Sequence, residues 1–172
     1  MAGDDRKAQT RAAWLDVLKK YAHDFDAPAS DQYWSPKLDA ASRDELTAIQ
    51  NDKLRAVTPF LYENSPFYRA RFDRLGLAPT DIASVDDLPK WPVLDKSEMM
   101  EDATANPPYG TYTTINDDDW HQRGWMLFSS SGSTGVPRVF RYTHLDREYW
   151  EWANARAMHS FSIRPDDSVL IC

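Results

Sequence analysis

Apolar positions recur at helical spacing through the first two thirds of the chain and gather into short strand-like runs after it. Ala13, Trp14, Val17, Leu18 and Tyr21 predict a first helix, and prolines at 28 and 36 break the pattern that follows. The clearest helix is predicted over 42–63. It opens on a capping-box pair, Ser42 and Glu45, and carries Leu46, Ile49, Leu54, Val57 and Leu61 on one broad face. Pro59 lies inside this run and predicts a kink or an early end.

Ser65 then reads as an N-cap with Pro66 at the first helical position. Phe67, Tyr68, Phe72 and Leu75 make a short amphipathic helix, and Gly76 sits where a left-handed cap belongs. Short turns with prolines at 79, 89 and 92 lead to Asp95 and Glu98, which cap another short helix through Met99 and Met100. Residues 106–110 (NPPYG) read as a loop.

The character changes at 125–128 (WMLF), a run that predicts a buried strand, and 138–142 (RVFRY) alternates like a second. Thr143, with Asp146 three residues on, caps a helix predicted over 144–161 that carries Leu145, Tyr149, Trp152, Ala153 and Met158. Residues 168–172 (SVLIC) read as a further buried strand. Strand, loop, strand, helix, strand predicts α/β architecture behind a helical N-terminal region. A domain rarely stops inside a strand, so the expectation is the N-terminal part of a longer polypeptide, or half of a split one.

Composition narrows the classes. At 172 residues the chain fits one domain or a piece of a larger one. It is 42% hydrophobic and 27% charged, and seven Trp argue for a packed core rather than disorder. A net charge of −7 with no basic run argues against nucleic-acid binding. No run approaches the roughly 18 apolar residues of a membrane span, and the first residues lack the apolar stretch of a secretory signal. The lone cysteine, Cys172, can form no intrachain disulfide. A cytoplasmic location is the expectation.

The segment between the two predicted strands, SSSGSTGVPR (129–138), carries the chemistry. Ser129, Ser130, Ser131, Ser133 and Thr134 offer hydroxyl donors. Gly132 and Gly135 can turn successive N–H groups into one concavity, and Arg138 adds a cation able to fork onto two oxygens. Such a lining suits polyphosphate. A Walker loop would need a lysine after its second glycine, and a nucleophile elbow would need glycine where Ser131 stands. A serine-rich turn with no ligand is the alternative, and the hydroxyl density, the two glycines and the Pro137–Arg138 exit weigh against it.

This loop resembles the phosphate-loop signature of the acyl-adenylate-forming superfamily, which includes acyl-CoA synthetases, peptide-synthetase adenylation domains and luciferase. Upstream, YENSPFYRARFDRLGL (62–77) and SVDDLPKWPVLDKSEMM (84–100) are similar to the phenylacetate–CoA ligase branch. The sequence departs from that branch at 125–128, where a histidine is common before the loop, and at Arg138, where Lys or Thr is usual.

The resemblance covers about 45–172 and implies three parts: an N-terminal extension (1–41), a helical region of the large domain (42–124) and the start of an α/β ATP-binding subdomain (125–172). It implies a carboxylate attacking the α-phosphorus of ATP to give an acyl-adenylate and pyrophosphate, then a thiol, usually coenzyme A, displacing AMP. Mg²⁺ would neutralise the phosphates. Ser130, Ser131, Gly132, Ser133, Thr134 and Gly135 would bind phosphate and Arg138 would assist. The family's adenine pocket, hinge and catalytic lysine lie downstream of the loop, so the chain alone is expected to be inactive and no catalytic residue is assigned.

The remaining candidates read as structural. His121, His144 and His159 lack metal-ligand spacing, and Asp117–Asp118–Asp119 reads as a solvated acidic turn. Tyr109 and Gly110 read as a turn. Trp150 and Trp152 cannot both face one way, so at least one is expected to be exposed. The substrate class is a small-molecule carboxylic acid, an aryl acid by family default. Other expectations are a carrier-protein thiol or a hydroxyl as acceptor, or a non-catalytic module that binds a complementing chain or a second copy.

Overall fold

A computed structural model describes residues 2–22, 30–130 and 137–170. Helix α1 (Ala2–Lys20) lies along α3 (Arg43–Asn64), which begins on the expected cap: Ser42 Oγ accepts from Glu45 N at 3.3 Å and Ser42 N donates to Glu45 Oε2 at 2.8 Å. Between them is a single turn, α2 (Pro36–Asp39), capped by Ser35. Pro59 does not end α3, which runs on to Asn64. The turn around it buries Ala56, Thr58 and Phe60, and Thr58 Oγ1 ties it to the Ile82 carbonyl at 3.2 Å. Tertiary burial outweighs the backbone bond that proline cannot make.

Helix α4 (Pro66–Leu75) starts at Ser65, whose Oγ accepts from Tyr68 N, and ends at Gly76 with φ +63°. The left-handed cap is therefore where the glycine predicted it. Two 3₁₀ turns (Pro79–Asp81 and Val85–Lys90) carry the chain to α5 (Lys96–Ala105), capped by Asp95 and Glu98. The core gathers here. Phe72 and Ile82 are fully buried, and the Phe72 ring lies 4.7 Å from that of Trp91.

Buried Arg71 joins α4 to α5 by donating to both Glu98 oxygens, at 2.5 and 2.6 Å, and to the Pro92 and Val93 carbonyls. These bonds hold Glu98 well below its ordinary pKa of 4.5, at about 2, with Arg74 as a second donor.

The acidic triplet is not a turn. It forms the first turn of α6 (Asp117–Arg123), where carboxylates complement the helix N-terminus. Asp119 is bound by both terminal nitrogens of Arg11 on α1, at 3.0 and 2.8 Å, and by Arg123 at 2.7 Å. Its pKa is lowered, chiefly by the Arg11 bond.

Strands β1 (Gly124–Ser129) and β2 (Val139–Thr143) pair antiparallel, with Phe128 opposite Phe140 and Ser129 opposite Val139, and an irregularity between Gly124 and Met126. Helix α7 (His144–Ser160) follows on the expected Thr143–Asp146 cap. The helical region followed by strand, strand and helix matches the α/β expectation, in a mostly helical chain with a two-stranded sheet.

Two expectations of burial are corrected. Met126 and Leu127 on β1 are exposed, because a two-stranded sheet leaves them without a covering layer. Of the strand expected over 168–172, residues 168–170 pair with no strand among the described residues, and Leu170 is 87% exposed, while 171 and 172 lie outside the described residues. His144 is exposed, and so is Trp150 of the tryptophan pair.

Candidate functional site

The loop at 129–138 is borne on the β1–β2 hairpin. Ser131, Gly132, Ser133, Thr134 and Gly135 lie outside the described residues, so the site's geometry is that of its two ends. These ends are joined by two hydrogen bonds. Ser130 N donates to the Arg138 carbonyl at 2.9 Å, and Arg138 N donates to Ser130 Oγ at 2.9 Å. The first continues the antiparallel ladder beyond the Ser129–Val139 pair. In the second a side chain takes the place of a main-chain acceptor.

The Arg138 side chain leaves the hairpin over the Phe140 ring, 5.5 Å from its centroid, and its Nη1 reaches Met99 Sδ on α5 at 3.8 Å. Its Nε is buried and has no acceptor among the described residues. A cation with an unmet donor at the exit of a hydroxyl-rich loop fits an anionic group such as phosphate. Among the described residues no cluster of His, Cys, Asp and Glu is placed to hold a metal ion.

The 106–112 loop fixes the hairpin from below. Tyr112 is buried against Phe67 and Phe140, and its hydroxyl donates to the Val139 carbonyl at 2.9 Å. Burial pushes its phenol pKa up. Thr111 N and Oγ1 donate to Asp102 on α5, at 2.5 and 2.7 Å, and the Thr111 carbonyl accepts from Ser65 Oγ at 2.8 Å. Gly110 makes the turn possible with φ +69°, and a Cβ there would lie 2.6 Å from Asp102 Oδ2 and from the Tyr112 ring. The 106–110 segment is thus the structural turn expected.

The side chain of Arg141 on β2 is also enclosed. It donates to Asp117 and to the Ile115 carbonyl, both at 2.6 Å, and stacks on the Tyr109 ring at 4.4 Å. Neither Tyr112 nor Arg141 stood out in the sequence. Their hydrogen-bond partners lie 24 to 27 residues away, and no local spacing announces such pairs.

A cavity of about 560 Å³ opens on the other side of β2, between α1, α6 and the start of α7. Leu15, Phe60, Tyr112 and Leu145 give it apolar walls. Arg11 and Arg123 reach it already paired to Asp119, and Arg141 already paired to Asp117. Ser130 and Arg138 do not line it.

A helical region leading into a hairpin that presents a Ser/Gly loop is the architecture of the adenylate-forming enzymes. Superposition on 2-hydroxyisobutyryl-CoA ligase, in complex with 2-HIB-AMP and CoA in the thioesterification state, gives a TM-score of 0.73 at 29% identity, over 81% of this chain and 29% of that one. The same ligase in the postadenylation state with 2-HIB-AMP gives 0.72 at 28% identity, over 81% and 28%. The chain belongs to this adenylate-forming superfamily.

In sequence it is similar to phenylacetate–CoA ligases. It is 34% identical over 134 residues to phenylacetate-coenzyme A ligase of Aromatoleum evansii, which is 78% of this chain and 28% of the relative. It is 32% identical over 132 residues to that of Escherichia coli K12, which is 77% of this chain and 28% of the relative. The chain thus spans little more than a quarter of the length of these relatives. No family model matches it.

Proposed function

We propose that this chain is the phosphate-loop segment of an ATP-dependent carboxylic acid–CoA ligase that works through an acyl-adenylate. The observation that carries the proposal is the loop itself: SSSGSTGVPR on a hairpin whose ends are clasped at Ser130 and Arg138, in a chain related to CoA ligases over most of its residues. Bound ATP supplies the electrophilic phosphorus and pyrophosphate as the leaving group. Residues 130–135 supply hydroxyl and N–H donors to the phosphates, and Arg138 supplies positive charge at the loop exit. Mg²⁺ would be carried largely by the phosphates themselves. An aryl acid is the proposed substrate and coenzyme A the proposed acceptor, after the phenylacetate ligases it resembles. The division at 41 and 124, into extension, helical region and start of the ATP-binding subdomain, belongs to the same reading.

A complementing chain, or a second copy, is favoured as a partner by the exposed apolar side chains of β1 and of residues 161–170. Because the chain spans 28% of its relatives' length, it is expected to bind polyphosphate without turning over. Calorimetric titration with inorganic tripolyphosphate tests the loop, and failure to bind would remove the phosphate-loop reading. ATP–pyrophosphate exchange by the isolated chain should be absent. Clear exchange would show that these residues suffice for adenylation.

A further inference from the structure

We infer that Ser130 is a positioning residue that closes the mouth of the loop rather than a phosphate ligand. The inference rests on the phosphate-loop reading but separates Ser130 from the other hydroxyls that the reading groups together. In an antiparallel hairpin, every second pair of facing residues exchanges two main-chain bonds. At the mouth of this loop one bond of the pair is of that kind, Ser130 N to the Arg138 carbonyl. The return bond, from Arg138 N, goes to Ser130 Oγ.

A serine hydroxyl that accepts from a backbone amide fixes its own χ1 and closes a small ring with the opposite strand. Here it fixes the residue at which the chain leaves the loop. Arg138 is doubly committed beyond this point. Its side chain lies on Phe140 and Met99, and the adjacent Val139 carbonyl is held by the Tyr112 hydroxyl. Ser130 therefore registers the loop exit against a wall already pinned to α5 and to the 106–112 loop. Loss of its oxygen would leave the Arg138 N–H without its partner and let the exit swing, while the main-chain bond from Ser130 N survives.

The test pairs two measurements on the whole chain, for the native protein, Ser130→Ala and Ser130→Thr. The first is amide hydrogen exchange at Arg138, read by NMR. The second is affinity for inorganic tripolyphosphate. Ser130→Ala should speed Arg138 exchange about tenfold, the scale of one net hydrogen bond, and weaken tripolyphosphate binding by a similar factor. Ser130→Thr, which keeps the hydroxyl, should restore both. Unchanged Arg138 exchange in Ser130→Ala overturns the inference, and weakened binding alongside it assigns the hydroxyl directly to phosphate. If the native chain binds no tripolyphosphate, the phosphate-loop reading fails, and the exchange measurement still decides whether the clasp exists.

Discussion

At the residue scale, the buried cation Arg71 shows how much of this fold hangs on single side chains. It is 4% exposed and serves four acceptors: both oxygens of Glu98 and the carbonyls of Pro92 and Val93. Removing Arg71 leaves the Pro92 and Val93 carbonyls without its donors and Glu98 with Arg74 as its remaining cation. Arg71→Met should therefore cost about 3 kcal/mol in urea unfolding. Glu98 gives the same pair a pH dependence. Its folded pKa is depressed to about 2 from 4.5, so the stability it contributes is complete above about pH 4.5 and is lost as pH falls towards 2. Glu98→Gln should flatten the difference in urea midpoint across that window. An unchanged slope would show that other carboxylates carry the acid sensitivity. Gly110 is a second such residue. An alanine there would meet Asp102 and Tyr112 at 2.6 Å in a left-handed conformation. Gly110→Ala should destabilise the chain by about 2 kcal/mol, and because Tyr112 holds the Val139 carbonyl, it should also weaken tripolyphosphate binding.

Elements obey local chemistry where their ends are local. Ser42 with Glu45, Ser65 with Pro66, Asp95 with Glu98 and Thr143 with Asp146 all cap the helices that their spacing predicted. Ser42→Ala should cost about 1 kcal/mol, measurable as a lower urea midpoint with unchanged slope. Caps were legible because donor and acceptor lie within three residues of each other. Burial of the strands was not legible. The run WMLF predicts a covered strand, yet whether Met126 and Leu127 are covered depends on a layer no local pattern specifies. The acidic triplet misled for a related reason. The helix start itself has a local cap, since Asn116 Oδ1 accepts from Asp119 N at 2.8 Å, but its docking on α1 rests on Arg11, 108 residues away from Asp119. At the candidate site the loop's chemistry was legible in its hydroxyls and glycines. The Ser130–Arg138 clasp was not, since the same residues read equally well as ligands.

For the whole molecule, the decisive quantity is the apolar surface left in water. Phe161 is 77% exposed, Val169 60% and Leu170 87%, while Met126 and Leu127 add exposed side chains on β1. A chain of net charge −7 resists association through repulsion, but exposed apolar side chains favour it. The phenylacetate ligases extend well beyond the matched segment, since 134 residues make up only 28% of the Aromatoleum evansii enzyme. The open strand and its exposed side chains suit a surface that such further structure, or a second copy, would cover. The chain should therefore associate as concentration rises, and more strongly as salt screens its charge. Leu127→Lys combined with Leu170→Lys should suppress this in sedimentation equilibrium. The unfolding free energy should shift by no more than about 0.5 kcal/mol per site, because neither side chain is buried in the monomer. A double variant that stays monomeric but loses much more stability would mean that these side chains support the isolated fold. One that associates as before would move the sticky surface away from β1 and the 168–170 segment.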